Sequence, residues 1–226
     1  MRGRGDSRDP FNGVMVIAID GPAGAGKSTV ARAVARALGF TYLDSGAMYR
    51  CVALAALDRG MDLDDGERLG EMAWDLDIGF DGDTVRLDGK PVEGRIRSPE
   101  VTIAASKVSI HPQVRQAMVK RQRELIATGN YVAEGRDIGT VVSPDSPLKI
   151  FLTADEGERA RRRAADSGEP VAQVAEAIRD RDERDQHRAD SPLQVAEGTI
   201  YIDTTDLSPE EVVRQIAELA RERGVA

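Results

Sequence analysis

The segment GPAGAGKS, residues 21–28, lies between a continuous apolar run, VMVIAID, and a segment of helical periodicity. The apolar run stops at the glycines and predicts a strand that is buried on both faces. Val30, Val34 and Leu38 follow at four-residue spacing, and Gly39 is placed to end the helix that they predict. A buried strand, a glycine-rich loop and a helix in this order are typical of α/β folds with a parallel sheet.

The loop itself matches the phosphate-binding pattern G-x-x-x-x-G-K-S/T in full. At this position its backbone N–H groups converge on phosphate oxygens at the positive end of the helix. Lys27 is predicted to reach the β and γ oxygens, and the Ser28 hydroxyl to bind magnesium, so ATP with Mg²⁺ is the expected cofactor. The predicted cofactor-binding residues are Gly21, Pro22, Ala23, Gly24, Ala25, Gly26, Lys27, Ser28 and Thr29.

Strand and helix patterns continue to alternate along the chain. YVAEG and LKIFLTA predict two strands, and Asp155 is placed to cap the next helix, with Glu158 completing a capping box. After a further strand, TIYIDTT, Ser208 and Glu211 open a last helix. The 226 residues are 41% apolar and 4% aromatic, which is typical of aliphatic helices on a parallel sheet. We expect an α/β fold, a P-loop NTPase-type parallel sheet core flanked by helices.

The pattern changes between about residues 71 and 104. FDGDTVRLDGKPVEGRI places apolar residues on both sides of Asp88 and Gly89, which predicts a β-hairpin in a chain otherwise built of α/β units. We predict that residues 71–104 form a small inserted domain on the acceptor side. The predicted remainder is a disordered tail at 1–13, a core at 14–70 and 105–226, and an arginine-rich lid at about 155–168.

Composition argues against several classes of protein. Cys51 is the only cysteine, and His111 and His187 are the only histidines, so a disulfide within the chain and a structural zinc site are not expected. We expect a reducing, cytoplasmic setting. No apolar run approaches the roughly 20 residues of a membrane span, and no membrane association is expected. The net charge of −8 argues against a nucleic-acid partner, so local arginines must hold any anionic ligand.

Arginines are concentrated on two predicted helices, where spacings of three and four positions place them on one side. On spacing alone, a solvated face with ion pairs is favoured for each helix. The alternative is an arginine-rich helix that folds over a triphosphate and stabilises charge on the transferred group, with Arg159 and Arg162 in the catalytic role. The two sets are Arg159, Arg162 and Arg163, with Arg161 off their side, and Arg181, Asp185 and Arg188.

A phosphate loop is shared by kinases and regulatory nucleotide-binding proteins. A GTPase switch is disfavoured, because the chain has no D-x-x-G and neither Asn12 nor Asn130 begins a guanine-reading N-K-x-D. Two alternatives to a nucleotide kinase remain open. One is a P-loop kinase of another small metabolite, such as UMP or a shikimate-like alcohol, and the other is a nucleotide-binding protein without phosphotransfer.

Six motifs in order carry a more specific resemblance: IDGPAGAGKST, LDSGAMYR, AASKVSIHPQVRQAM, EGRDIGTVV, KIFLTA and RDERDQHRADSPL. From about Val14 to the last helix the chain resembles the bacterial cytidylate kinases. The resemblance implies an enzyme of pyrimidine nucleotide metabolism that moves the γ-phosphoryl group of ATP to CMP or dCMP. It also implies that the inserted segment is a nucleoside monophosphate-binding domain. We expect a monomer.

The resemblance further implies which residues form the acceptor site. Asp137 would accept from the N4 amino group of cytosine, while Ser106 and Arg115 face N3 and O2. Arg50, Arg136 and Arg188 would clamp the acceptor phosphate. Arg136 and Arg188 would share the catalytic role with Lys27. The implied substrate-binding residues are Ser45, Arg50, Ser106, Arg115, Arg136, Asp137, Arg181, Asp185 and Arg188. Within this set, the sugar is assigned to Arg181 and Asp185.

Arg136 and Asp137 are adjacent in the sequence, and two interpretations are possible. They form either a self-neutralising surface pair or two separate contacts with one nucleotide. The surrounding motifs favour the second, with Arg136 on the phosphate and Asp137 on the base. Asp44 is interpreted as a helix cap and Tyr49 as a core residue.

Overall fold

The computed structural model describes residues 13–226, and its core is a five-stranded sheet. All four strand pairings are parallel. The strands are β1 (Val16–Asp20), β2 (Thr41–Asp44), β6 (Tyr131–Gly135), β7 (Leu148–Thr153) and β8 (Ile200–Asp203), in the spatial order β2-β6-β1-β7-β8. The predicted α/β fold is thereby confirmed. Residues 1–12 of the predicted disordered tail lie outside the described residues.

Helices cover both faces of the sheet. On one face α1 (Lys27–Leu38) and α9 (Pro209–Glu222) pack against aliphatic side chains such as Ile17 and Ile19. On the other face lie α2 (Ser45–Asp58), α5 (Pro99–Val108) and α6 (Pro112–Ile126). The two residues of β1 that face this second layer, Val16 and Ala18, alternate with Ile17 and Ile19, as a strand buried on both sides requires.

The helices begin and end at residues of the types that commonly cap helices. Gly39 ends α1 in the left-handed conformation with φ 68°. Ser208 and Glu211 form a complete capping box on α9. Asp155 caps α7 (Glu156–Ser167) by accepting the Gly157 N–H at 2.8 Å. The Glu158 carboxylate pairs with arginines of its own helix at 2.8 Å and does not complete a second capping box.

The inserted segment contains the expected hairpin. Strands β3 (Ile78–Asp81), β4 (Thr84–Leu87) and β5 (Lys90–Pro91) form a three-stranded antiparallel sheet, with Asp88 and Gly89 at positive φ in the turn. Helices α3 (Gly66–Asp75) and α4 (Glu93–Ile96) complete the segment. The domain limits at 71 and 104 stay a prediction, since α3 and α5 each continue across one of them.

Two further features position the site. Helix α7 packs against α8 (Val171–His187) through Ala160, Ala164, Val174 and Ile178. A π-helix, Ile138–Val142, follows β6 directly. Within residues 13–226, no helix combines the length and the apolar content that a membrane span requires.

Candidate active site

A cleft of about 730 Å³ opens at the carboxyl ends of β1, β2 and β6. This is where ligands bind in parallel α/β sheets. Its walls are the phosphate loop, the start of α2, and the helices α5 and α8. The predicted site residues that line it are Ala23, Gly24, Lys27, Ser28, Ser45, Arg50, Arg115, Arg136, Asp137, Arg181, Asp185 and Arg188.

The phosphate loop has the geometry that its sequence predicts. Gly24 and Gly26 adopt left-handed φ values of 77° and 82°, and Gly26 is the N-cap of α1. The Lys27 ammonium group donates to the Pro22 carbonyl oxygen at 2.8 Å and is buried. Burial, and then the charge of Arg136, lower the pKa of Lys27 to about 7. A bound polyphosphate would reverse this shift.

The residues present fit magnesium beside ATP. Ser28 lies in the first turn of α1 and lines the cleft, as do Asp44 and Glu134. Hydroxyl, carboxylate and phosphate oxygens are the ligands that Mg²⁺ prefers. Burial, and then the neighbouring Asp44, raise the pKa of Glu134. Asp44 also accepts the Ala47 N–H at 2.8 Å, so it caps α2 as expected.

Arg136 and Asp137 are drawn to different partners. Arg136 donates from Nε to Oδ2 of Asp185 on α8 at 2.9 Å. Asp137 accepts from Nη2 of Arg115, which comes from α6. All four side chains are largely buried, so these are not surface ion pairs. The carbonyl oxygen of Glu134, two residues before Arg136, accepts from the Ser45 hydroxyl at 2.6 Å. This bond joins the start of α2 to the end of β6.

Asp185 lies between three arginines. Besides Arg136, Nη1 of Arg188 lies 3.6 Å from Oδ1, and Nε of Arg181 lies 4.0 Å from Oδ2. Burial alone would raise the pKa of Asp185, but Arg136, Arg181 and Arg188 outweigh it and hold that pKa below its ordinary value. Burial and the charge of Arg136 lower the pKa of Arg181 to about 9. Positive charge therefore exceeds negative charge here, as an anion site requires.

The base-side residues differ in how they are placed. Arg115 is only 1% exposed, and its guanidinium carbon lies 5.4 Å from the centre of the Tyr49 ring. Tyr49 belongs to the hydrophobic core, as expected, and it also lines the cleft. Ser106 lies behind the cleft wall, and its hydroxyl accepts from Nη1 of Arg184 at 2.5 Å. In this bond the hydroxyl is only an acceptor and keeps its own proton to donate, so the contact predicted between Ser106 and the base stays a prediction.

Two lid arginines, Arg159 and Arg162, bind the protein rather than line the cleft. Arg159 donates to the Ala23 carbonyl oxygen at 3.0 Å and pairs with Asp182, whose other oxygen accepts the Ala23 N–H at 3.0 Å. Arg162 donates to the Thr204 carbonyl oxygen at 2.6 Å. A Cβ on Gly24 would lie 2.9 Å from the Arg159 carbonyl oxygen, so α7 is docked directly on the phosphate loop. The catalytic roles of Arg159 and Arg162 stay predictions.

Two cleft arginines were not among the predicted site residues. Arg163 lines the cleft, whereas Arg159 and Arg162, which the sequence placed on the same side of the helix, do not. Arg97, which follows α4, lies with Nη2 3.9 Å from Oδ2 of Asp44. No motif or spacing marks Arg97, and its place depends on how the inserted segment packs.

Comparison with known proteins identifies the family. The family model described as cytidylate kinase matches residues 17–222. The chain belongs to the cytidylate kinase family. It is 50% identical over 216 residues to a cytidylate kinase of Caldanaerobacter subterraneus subsp. tengcongensis, covering 93% of this chain and 96% of that one. To a cytidylate kinase of Mycobacterium leprae it is 46% identical over 218 residues, covering 94% and 98%. The predicted enzyme class of this cytidylate kinase family member, a nucleoside monophosphate kinase, is thereby confirmed.

A solved structure agrees on the fold. A gluconokinase from Sinorhizobium meliloti 1021 superposes with a TM-score of 0.52 at 17% identity, covering 94% of this chain and 95% of that one. At this identity the likeness shows the fold and not the acceptor. The cytidylate kinase family member therefore shares its fold with a protein named for a different substrate.

Proposed function

We propose that the protein transfers the γ-phosphoryl group of MgATP to CMP and dCMP, forming ADP with CDP or dCDP. The observation that carries this proposal is the single cleft of about 730 Å³ that holds Lys27 of the phosphate loop together with Arg136 and Asp137. One wall supplies contacts for a triphosphate, and the other supplies separate contacts for a phosphate and a base. The names of the two cytidylate kinase relatives support cytosine as that base.

The phosphate end of the acceptor is assigned to Arg50, Arg136 and Arg188. Arg136 and Arg188 already flank Asp185, and Arg50 lines the same cleft. The pKa of Arg50 is lowered, chiefly by burial and further by the neighbouring charges of Arg97 and Arg163. The carboxylate of Asp44 opposes this shift but does not cancel it. An anion placed among these guanidinium groups relieves their mutual repulsion and accepts planar, bidentate hydrogen bonds.

The base end is assigned to Asp137. Its Oδ2 is occupied by Arg115, whereas Oδ1 lies 3.9 Å from Nη2 of Arg188, beyond hydrogen-bond distance. A carboxylate oxygen at this place suits the amino group of cytosine. Uracil presents a carbonyl there, and a buried acceptor left facing another acceptor costs about 1–3 kcal/mol. Arg181 and Asp185 are assigned to the sugar, and a site that accepts dCMP does not depend on a 2′-hydroxyl.

The reaction needs no general base on the protein. The second pKa of a phosphate monoester is about 6, so its oxygen is already anionic near neutral pH. That oxygen forms a bond to the γ-phosphorus in line, and the bond to the β–γ bridging oxygen breaks with its electron pair leaving on ADP. Lys27 and the arginines align the two anions and stabilise the charge that spreads over the transferred group. Ser28 and the nucleotide would hold Mg²⁺, which would supply further charge neutralisation.

An ADP-release assay across acceptors tests this proposal. CMP and dCMP should be the best acceptors among the nucleoside monophosphates with ATP and Mg²⁺. Preferred turnover of UMP or of a shikimate-like alcohol would replace the acceptor assignment, and ATP binding without ADP formation for any acceptor would overturn the phosphotransfer. The expectations of a monomer, of no nucleic-acid or membrane partner and of a cytoplasmic location stay predictions.

A further inference from the structure

Two non-glycine residues among those described adopt φ in the left-handed region, Asp88 and Ser191, each at 50°. Asp88 is explained by the hairpin turn that it forms with Gly89. Ser191 belongs to no hairpin and follows α8, which ends in the acceptor site. This conformation is unfavourable for an L-residue with a side chain, so its presence at Ser191 indicates that surrounding contacts stabilise it.

The turn at Ser191 holds Arg188. The Ser191 carbonyl oxygen accepts from Nε of Arg188 at 2.6 Å, so the chain reversal returns a backbone acceptor to the arginine three residues earlier. This contact fixes the guanidinium group, whose Nη2 lies 3.9 Å from Oδ1 of Asp137. The Ser191 hydroxyl donates to Oδ1 of Asp190 at 2.5 Å and fixes that carboxylate as well.

Asp190 faces Arg115 from outside the cleft. Oδ1 of Asp190 lies 3.9 Å from Nε of Arg115. That nitrogen is buried and has no hydrogen-bond partner among the residues that the structure describes. The Asp190 side chain is 35% exposed and borders a surface groove of about 390 Å³, which Arg115 also lines. Arg115 thus lies between two carboxylates, with Asp137 on the cleft side and Asp190 on the groove side.

We propose, on the basis of the proposed function, that Asp190 and Ser191 are positioning residues for the acceptor nucleotide. Asp190 holds Arg115 from the groove side, so that Arg115 occupies one oxygen of Asp137 and leaves Oδ1 for the base. Ser191 holds Arg188, so that Arg188 serves the phosphate and is not drawn onto Oδ1. Without Asp190, the buried guanidinium groups of Arg115 and Arg188 both turn to the Asp137 carboxylate. Oδ1 of Asp137, the atom that distinguishes cytosine from uracil, is then no longer available to the base.

The two residues have different kinetic signatures. Asp190→Ala lowers the ratio of kcat/KM for CMP to that for UMP by about 10- to 100-fold, the range expected when a contact group is misplaced by about 1 Å. Asp190→Asn keeps an acceptor for Ser191 but loses the charge, and it lowers the same ratio. Ser191→Val cannot adopt the turn and raises KM for CMP and UMP alike, whereas Ser191→Gly keeps the turn and leaves KM for CMP within about threefold.

Controls separate this inference from general damage. Asp145→Ala alters an exposed aspartate in another turn and leaves all parameters unchanged. Melting temperatures and KM for ATP are measured for every variant. If both Asp190 variants lose stability but keep the ratio of kcat/KM for CMP to that for UMP, the positioning role is overturned. In the Asp137→Ala background, Asp190→Ala has no further effect on the ratio, and additive effects would also overturn it. Absence of CMP preference in the parent protein contradicts the proposed function instead.

Discussion

Arg136 donates from Nε to Asp185 at 2.9 Å, while its neighbour Asp137 accepts from Arg115. Adjacent residues at the end of β6 thus point to partners on different helices, α8 for Arg136 and α6 for Asp137. A self-neutralising surface pair would leave both in solvent and would contribute little. Instead, the strand end presents a cation and an anion at separate places in one cleft, as a ligand with a phosphate and a base requires.

Asp137→Asn tests the base-reading assignment. The amide has nearly the same shape but can donate as well as accept, so it accommodates the O4 carbonyl of uracil. We expect the ratio of kcat/KM for CMP to that for UMP to fall about 10- to 100-fold. Steady-state kinetics with both acceptors measure this ratio, and Asp145→Asn provides the control. Retention of the full preference for CMP would assign base recognition to other residues.

The pKa of Lys27 predicts proton uptake when ATP binds. Burial and then Arg136 lower this pKa to about 7 in the free protein, and the phosphates of ATP raise it again. At about pH 8 Lys27 is largely neutral when free and charged when bound, so binding takes up close to one proton. At about pH 6 it is charged in both states and uptake disappears. Calorimetry in buffers of different ionisation enthalpy measures the uptake, and Lys27→Ala should abolish it; equal uptake by that variant contradicts the assignment.

Arg163 and Arg161 form a matched pair on α7. Arg163 lines the cleft, whereas the Arg161 side chain is 66% exposed and pairs with Glu158 on the same helix. If Arg163 stabilises charge on the transferred group, Arg163→Ala lowers kcat on the order of 10²-fold, the size expected for loss of one such donor. Arg161→Ala should leave kcat within about twofold. Equal effects of the two substitutions on kcat would show that α7 acts through its overall charge and not through Arg163.

The local parts of this molecule could be predicted from its sequence, and the long-range pairings could not. The strand, loop and helix around Lys27 depend on neighbouring residues, so their pattern is visible in a short window. The pairing of Arg115 with Asp137 depends on how α6 packs beside β6. Periodicity placed three arginines on one side of α7. It could not distinguish Arg159, which binds the phosphate loop, and Arg162, which binds Thr204, from Arg163, which lines the cleft. Arg97 had no signal, because only the packing of the inserted segment brings it to Asp44.

Asp20 ends β1, and its two carboxylate oxygens accept the N–H groups of Ile138 at 2.9 Å and Gly139 at 2.7 Å. It therefore ties the strand before the phosphate loop to the turn that follows Arg136 and Asp137. Burial raises the pKa of Asp20 to about 6, although these two hydrogen bonds oppose the rise. In the unfolded chain the same carboxyl group titrates near its ordinary value of 3.8.

Asp20→Asn converts this raised pKa into a measurable pH dependence. Because the folded protein binds the proton more tightly, the contribution of Asp20 to stability is largest below about pH 4 and is lost as the pH rises through about 6. The free energy of unfolding of the parent minus that of Asp20→Asn should therefore fall by about 2 kcal/mol between about pH 4 and pH 7. Urea unfolding measures it, and Asp145→Asn, at an exposed position, controls for the loss of a carboxylate as such. A difference for Asp20→Asn that stays constant, or that rises with pH, would mean that Asp20 is ionised in the folded protein throughout this range and that its two backbone hydrogen bonds outweigh its burial.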